Sequence, residues 1–136
     1  MAGELILIVE DNEKNRKLER DILQFHGYRT AEADNAEDGI ALAQTTPPAL
    51  VLMDIQLPRM NGIEALQILR SDTRTRAIPV IAVTASAMTQ DRQKIMAAGF
   101  DGYQAKPIDV IQFVAAVRAM LDRPSGGRPS TGESLR

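Results

Sequence analysis

The sequence predicts a doubly wound α/β fold, a five-stranded parallel sheet with helices on both faces. Short apolar runs alternate with segments of helical period along most of the 136 residues, the pattern of consecutive β–α units. The two strongest runs, Leu5-Ile6-Leu7-Ile8-Val9 and Ala49-Leu50-Val51-Leu52-Met53, are apolar at every position. Strands buried on both faces need that composition. A third observation is where the acids fall. Glu10 and Asp11 end the first run and Asp54 ends the second. The topology would gather all three at the mouth of the sheet, where open α/β folds bind ligands.

Each element has its own signal. After the first strand, Asp11 or Asn12 can cap a helix with the apolar stripe Leu18, Ile22 and Phe25, and Gly27 stops it. Tyr28 to Ala33 reads as a weaker, half-exposed strand. Ala36 to Gln44 reads as a short helix with Ile40, Leu42 and Ala43 inward, and Thr45-Thr46-Pro47-Pro48 is its stop. The Asp54 strand follows. Ile63, Leu66, Ile68 and Leu69 mark a third helix, and Ser71 to Ala77 is a polar, basic loop. Ile78 to Val83 is the fourth strand, with Pro79 tolerable near its start. A helix over Thr89 to Ala98 ends at Gly99. Phe100 to Ala105 is a short fifth strand, and Ile108 to Leu121 a last helix with Phe113, Val114, Val117 and Leu121 inward. The expected architecture is a flavodoxin-like (βα)5 domain over residues 1–122. The tail, 123–136, is rich in Pro, Gly, Ser and Arg without apolar period, and is expected to be disordered.

Composition excludes several functions. The chain has no cysteine, so no disulfide framework, thiol catalyst or Cys-based zinc site. A net charge of −2 argues for neither nucleic acid nor an anionic membrane as partner. No signal peptide or membrane span is visible, and a cytoplasmic location is expected.

Thr84 ends the fourth strand and Lys106 the fifth, which adds a hydroxyl and a cation to the acid-lined edge. Unit charges about 4 Å apart interact by about 4 kcal/mol at an effective dielectric near 20. Three clustered carboxylates therefore call for a hard cation, or for the use of one of them as a nucleophile. Phosphoryl transfer to a carboxylate fits both. Asp54 would be the nucleophile. Mg²⁺ would take one or two of the carboxylates Glu10, Asp11 and Asp54, with the Gln56 backbone carbonyl as a further oxygen. Lys106 would offer a point charge and Thr84 a hydroxyl to phosphate oxygens.

Glu10-Asp11, the run from Asp54 through Pro58 and Met60 to Gly62, Thr84-Ala85 and Lys106-Pro107 together resemble the receiver domain of two-component response regulators. The resemblance covers roughly residues 4 to 122. It implies that Asp54 is the phosphoacceptor, that Glu10 and Asp11 serve a Mg²⁺ site, and that Thr84 and Lys106 read the phosphoryl group. Tyr103 matches the aromatic switch position, and Ala85 the small residue that leaves the site open. The segment Ala98 to Tyr103 and the absence of an output domain are similar to stand-alone, DivK-like single-domain regulators. The implied partners are a sensor histidine kinase or histidine phosphotransfer protein upstream and a protein target downstream. The implied role is that of a switch and not of a turnover enzyme.

Plainer roles exist for each residue alone. Glu10 and Asp11 could cap the first helix, Asp54 could form a turn, and Lys106 could be solvated. Their joint placement favours a site. Two other classes share parts of the pattern. An aspartyl-phosphate phosphatase usually carries an Asp-x-Asp motif after its first strand, where this chain has Glu10-Asp11-Asn12. A flavin carrier would need donors for a phosphate there, and Glu10, Asp11 and Glu13 would repel it.

Overall fold

In a computed structural model, which describes residues 3–85 and 89–123, five parallel strands form one sheet in the order β2-β1-β3-β4-β5. The strands are β1 (Leu5–Val9), β2 (Arg29–Ala33), β3 (Leu50–Asp54), β4 (Val80–Thr84) and β5 (Gly102–Ala105). The helices between and after them are α1 (Glu13–Phe25), α2 (Ala36–Thr45), α3 (Gly62–Ser71), α4 (Thr89–Ala98) and α5 (Val110–Leu121). Strand order reverses between β1 and β3, so their C-terminal ends flank the crevice of the fold.

Alternate residues of the central strands feed two cores. Leu7, Val9, Val51, Met53, Val80 and Ala82 pack with Ile40 of α2, Leu66 and Leu69 of α3, and Ile95 of α4. Ile6, Ile8, Leu50, Leu52, Ile81 and Val83 pack with Leu23 of α1 and with Phe113 and Val117 of α5. Each of these side chains larger than alanine contributes roughly 1.5–3 kcal/mol by leaving water. The expected doubly wound sheet is therefore present, with helices covering both faces.

Four helices start at side-chain caps. Asn12, Asn35, Asn61 and Asp109 each accept from a backbone N–H three residues on, at 2.8–3.0 Å. Asn61 and Glu64 form a reciprocal capping box. Of the two caps considered for α1, Asn12 does the work and Asp11 is left free of it.

Several sequence expectations need correction. The apolar stripe of α1 is misplaced. Leu18 is 40 % and Phe25 86 % exposed, whereas Glu19 and Leu23 face the core. Ile22 is half-buried, so the buried face is rotated by about one residue. In α3, Ile68 is exposed and Ala65 takes an inward place. In α5, Val114 and Leu121 are half-buried, while Phe113 and Val117 are fully buried. β4 begins after Pro79, whose carbonyl accepts from Val51. β5 begins at Gly102, because Phe100 turns into the core and the Asp101 N–H bonds the Val80 carbonyl. The Ser71–Ala77 loop is pinned by buried Thr75, whose Oγ1 donates to the Leu69 carbonyl at 2.7 Å. The expected disordered tail falls, from residue 124 on, outside the described residues.

Candidate functional site

The ends of β1, β3 and β5 converge on one polar cluster. The Glu10 N–H donates to the Ala33 carbonyl at 3.0 Å, which carries the β1–β2 ladder one step past β1. Its carboxylate Oε2 accepts from the Asn12 N–H at 3.1 Å. Asp54 is the last residue of β3. Its Oδ1 accepts from the Gln56 N–H at 3.1 Å, which locks the carboxylate to its own turn. The Ile55 N–H bonds the Val83 carbonyl at 3.0 Å, holding the turn against β4. Lys106 follows β5, with its N–H on the Thr84 carbonyl at 2.8 Å. Its Nζ lies 3.2 Å from Asp54 Oδ2 and 3.0 Å from Glu10 Oε1.

Glycine at position 62 is required by this turn. Gly62 opens α3 and donates to the Ile55 carbonyl at 2.9 Å. An added Cβ there would lie 2.9 Å from Ile55 Cα and closer still to the Asp54 backbone. The first turn of α3 can sit directly on the Asp54 loop only without a side chain.

Burial sets the electrostatics. Glu10 and Asp54 are 1 % and 3 % exposed, and Asp11 is exposed at the rim. Oxygen atoms of all three carboxylates lie within 4.8 Å of one another. The Asp54 carboxyl is pushed up to about 7, first by burial and then by the charge of Glu10, with Lys106 pulling the other way. Lys106 is raised. Its burial lowers it, but its hydrogen bond to Glu10 and the charge of Asp54 outweigh that. One ammonium thus contacts two of three clustered carboxyls, and the excess of negative charge is what a divalent cation neutralises. Glu10 Oε1 is buried with the Lys106 ammonium 3.0 Å away, and a carboxylate oxygen so placed keeps a lone pair for such an ion.

The sequence-selected residues fall as follows. Glu10, Asp11, Asp54 and Lys106 meet in one pocket. Thr84 is buried at the end of β4, beside the strand that carries Asp54. Gln56 lies on the Asp54 turn and contacts it through its N–H. Tyr103 stands further down β5, opposite Ala82. Its half-buried ring packs on the α2–α3–α4 core, with the Arg92 guanidinium 5.0 Å from its centroid.

Two charged residues near the site were not foreseen. Glu19 is buried in α1, with Oε2 unpartnered. Its carboxyl is pushed up to about 8, by burial first and then by Glu10, with Asp54 adding and Lys106 opposing. Its spacing of four from Leu23 was the available signal. Arg16 donates to the Glu10 main-chain carbonyl at 3.0 Å.

A parallel sheet of order 2-1-3-4-5, with an acid-lined crevice and a lysine at its rim, defines an α/β domain built around a carboxylate–cation site. The family model described as response regulator receiver domain matches residues 6–118, and the chain belongs to that family. The polar-differentiation response regulator DivK of Brucella anthropi is 44% identical over 116 residues, 85% of this chain and 94% of the relative. DivK of Brucella ovis is 43% identical over the same shares. The chain is thus a receiver similar to DivK over nearly the whole length of that relative. Among solved structures, the receiver domain of a sensor histidine kinase from Pseudomonas aeruginosa PAO1 matches with a TM-score of 0.83 and 30% identity. It covers 90% of this chain and 100% of the other. That crystal structure is described as having a magnesium ion coordinated in the active-site cleft. The chemotaxis response regulator CheY4 of Vibrio cholerae shares the fold, with a TM-score of 0.82 and 22% identity, covering 88% and 99%.

Proposed function

We propose that this chain is a response regulator receiver that accepts one phosphoryl group on Asp54 and signals by binding another protein. The observation that carries this is the buried Asp54 carboxyl with the Lys106 ammonium 3.2 Å away and two further carboxyls beside it. The working unit is residues 1–122, with 123–136 as an appended tail. The donor is a phosphohistidine on a sensor kinase or phosphotransfer protein, as family membership suggests.

In that transfer an Asp54 carboxylate oxygen attacks phosphorus. The new P–O bond forms as the P–N bond to the imidazole breaks, and the departing imidazole takes up a proton. Glu10, Asp11 and Asp54, with the Gln56 carbonyl, would hold Mg²⁺, which supplies charge neutralisation on the phosphoryl oxygens. Lys106 adds a fixed positive charge to the same oxygens. The Gln56 N–H on Oδ1 orients Asp54 so that Oδ2 faces Lys106. Thr84 shifts to donate its hydroxyl to the new phosphoryl group, which vacates space behind it, and Tyr103 turns into that space on the α4–β5–α5 face. Output then depends on the difference in partner affinity between the two states. The protein is a switch that assists only its own phosphorylation and dephosphorylation.

The test is a pull-down from cells with the protein held in a phosphorylated-like state, compared with Asp54→Asn. A partner retained equally by both would contradict phosphorylation-dependent output.

A further inference from the structure

Arg16 reaches from α1 back to the end of β1. Its Nη1 donates to the Glu10 carbonyl at 3.0 Å. That carbonyl stands where the β1–β2 ladder stops, since paired residues end at Val9 and Ala33 and the last ladder bond is the Glu10 N–H. Arg16 therefore completes the ladder with a side chain, at the residue where β1 turns into the acid pocket. The guanidinium is itself anchored. Its Nε donates to Glu32 Oε1 at 3.3 Å. Glu32 is held in turn by Arg20, at 3.3 and 3.2 Å.

A cation so near the pocket could act in two opposite ways. Acting by charge, it opposes a bound metal ion, so removing it tightens metal binding. Acting by geometry, it holds the Glu10–Asp11 turn against the mutual repulsion of the acids, so removing it loosens metal binding. The contacts favour geometry. Among the described residues Arg16 pairs with Glu32, which lies outside the pocket, and bonds Glu10 only through its main chain. The planar fork suits this double engagement, which an ammonium reproduces poorly.

We infer that Arg16 is a positioning residue of the acid pocket, which fixes the Glu10–Asp11 turn so that both carboxyls face Asp54. Glu32 keeps the guanidinium turned away from those carboxyls, where it would compete with a cation. This rests on the Mg²⁺ pocket proposed above.

The experiment is a Mg²⁺ titration of the full chain followed by two-dimensional amide NMR, at fixed pH and ionic strength. Melting temperatures are measured in parallel. Arg16→Gln is expected to weaken Mg²⁺ binding roughly ten-fold, the scale seen when partners that orient metal ligands are removed. Arg16→Lys should recover part of the loss. Glu32→Gln should also weaken binding, although Glu32 touches no pocket residue. Arg16→Gln binding Mg²⁺ as tightly as wild type, or more tightly, would overturn the inference while leaving the pocket itself standing. Wild type that shows no saturable Mg²⁺ binding would instead overturn the pocket and this inference with it. If Arg16→Gln does not fold, Glu32→Gln carries the test, and unchanged affinity there refutes the clamp.

Discussion

Replacing Glu19 by Gln should stabilise the protein at neutral pH, and by an amount that grows with pH. Glu19 is 1 % exposed on the inner face of α1, and Oε2 has no partner. Its carboxyl is pushed from the ordinary 4.5 up to about 8, first by burial and then by the charge of Glu10. In the unfolded chain it titrates near 4.5. Below that value both states carry the proton, and the native state suffers no penalty. As pH rises toward about 8, the unfolded chain releases the proton and the native chain keeps it, so stability falls by about 1.4 kcal/mol per pH unit. At pH 7 the loss is about 3 kcal/mol. Gln has the same size and a similar need for hydrogen bonds, but no proton to hold. Urea denaturation of wild type and Glu19→Gln across pH 4.5 to 8 measures the difference. The two should agree near pH 4.5, with the variant more stable by about 3 kcal/mol at pH 7. Asp54 titrates in both proteins and largely cancels in the comparison. Parallel stability profiles for the two proteins would refute the assignment of a raised, buried proton to Glu19.

Three further outcomes follow from the site. Asp11→Asn should leave the melting temperature nearly unchanged, because Asn12 is the cap of α1, yet lose most Mg²⁺ affinity. Calorimetric titration with Mg²⁺ checks this, and unchanged affinity would return Asp11 to a surface role. Lys106→Met removes the charge that opposes the raised Asp54 carboxyl, so Asp54 should titrate above its present value of about 7. Carboxyl-carbon NMR reads this directly, and a lower midpoint would contradict it. Gly62→Ala places a Cβ against the Asp54 and Ile55 backbone and should cost at least about 2 kcal/mol in urea denaturation. A neutral effect would mean that the Asp54 loop is less tightly seated on α3.

The fold was legible because its strongest signals are binary. β1 and β3 are continuous apolar runs, and only a sheet covered on both faces explains them. Glu10, Asp54 and Lys106 were legible as a group because each ends a strand of one parallel sheet, and strand ends share an edge. The face of α1 was misread for a physical reason. Leu18 and Phe25 look like core residues, but α1 as capped at Asn12 turns Glu19 and Leu23 to the core instead. A hydrophobicity pattern cannot anticipate a carboxyl on the buried side. Arg16 was missed because its contact is to a carbonyl, which no side-chain pattern reports. Edges such as Pro79 and Phe100 shifted by a residue or two, since ladder bonds and not composition decide where a strand begins.

The central claim is that the buried carboxyl at the end of β3 accepts a phosphoryl group with the help of a cation. The direct measurement is mass spectrometry after incubation with a small-molecule phosphodonor, with Mg²⁺, with a chelator, and for Asp54→Asn. One phosphoryl group on Asp54, dependent on Mg²⁺ and absent from the variant, is the predicted result. Label on another residue, or none in the presence of Mg²⁺, would contradict it.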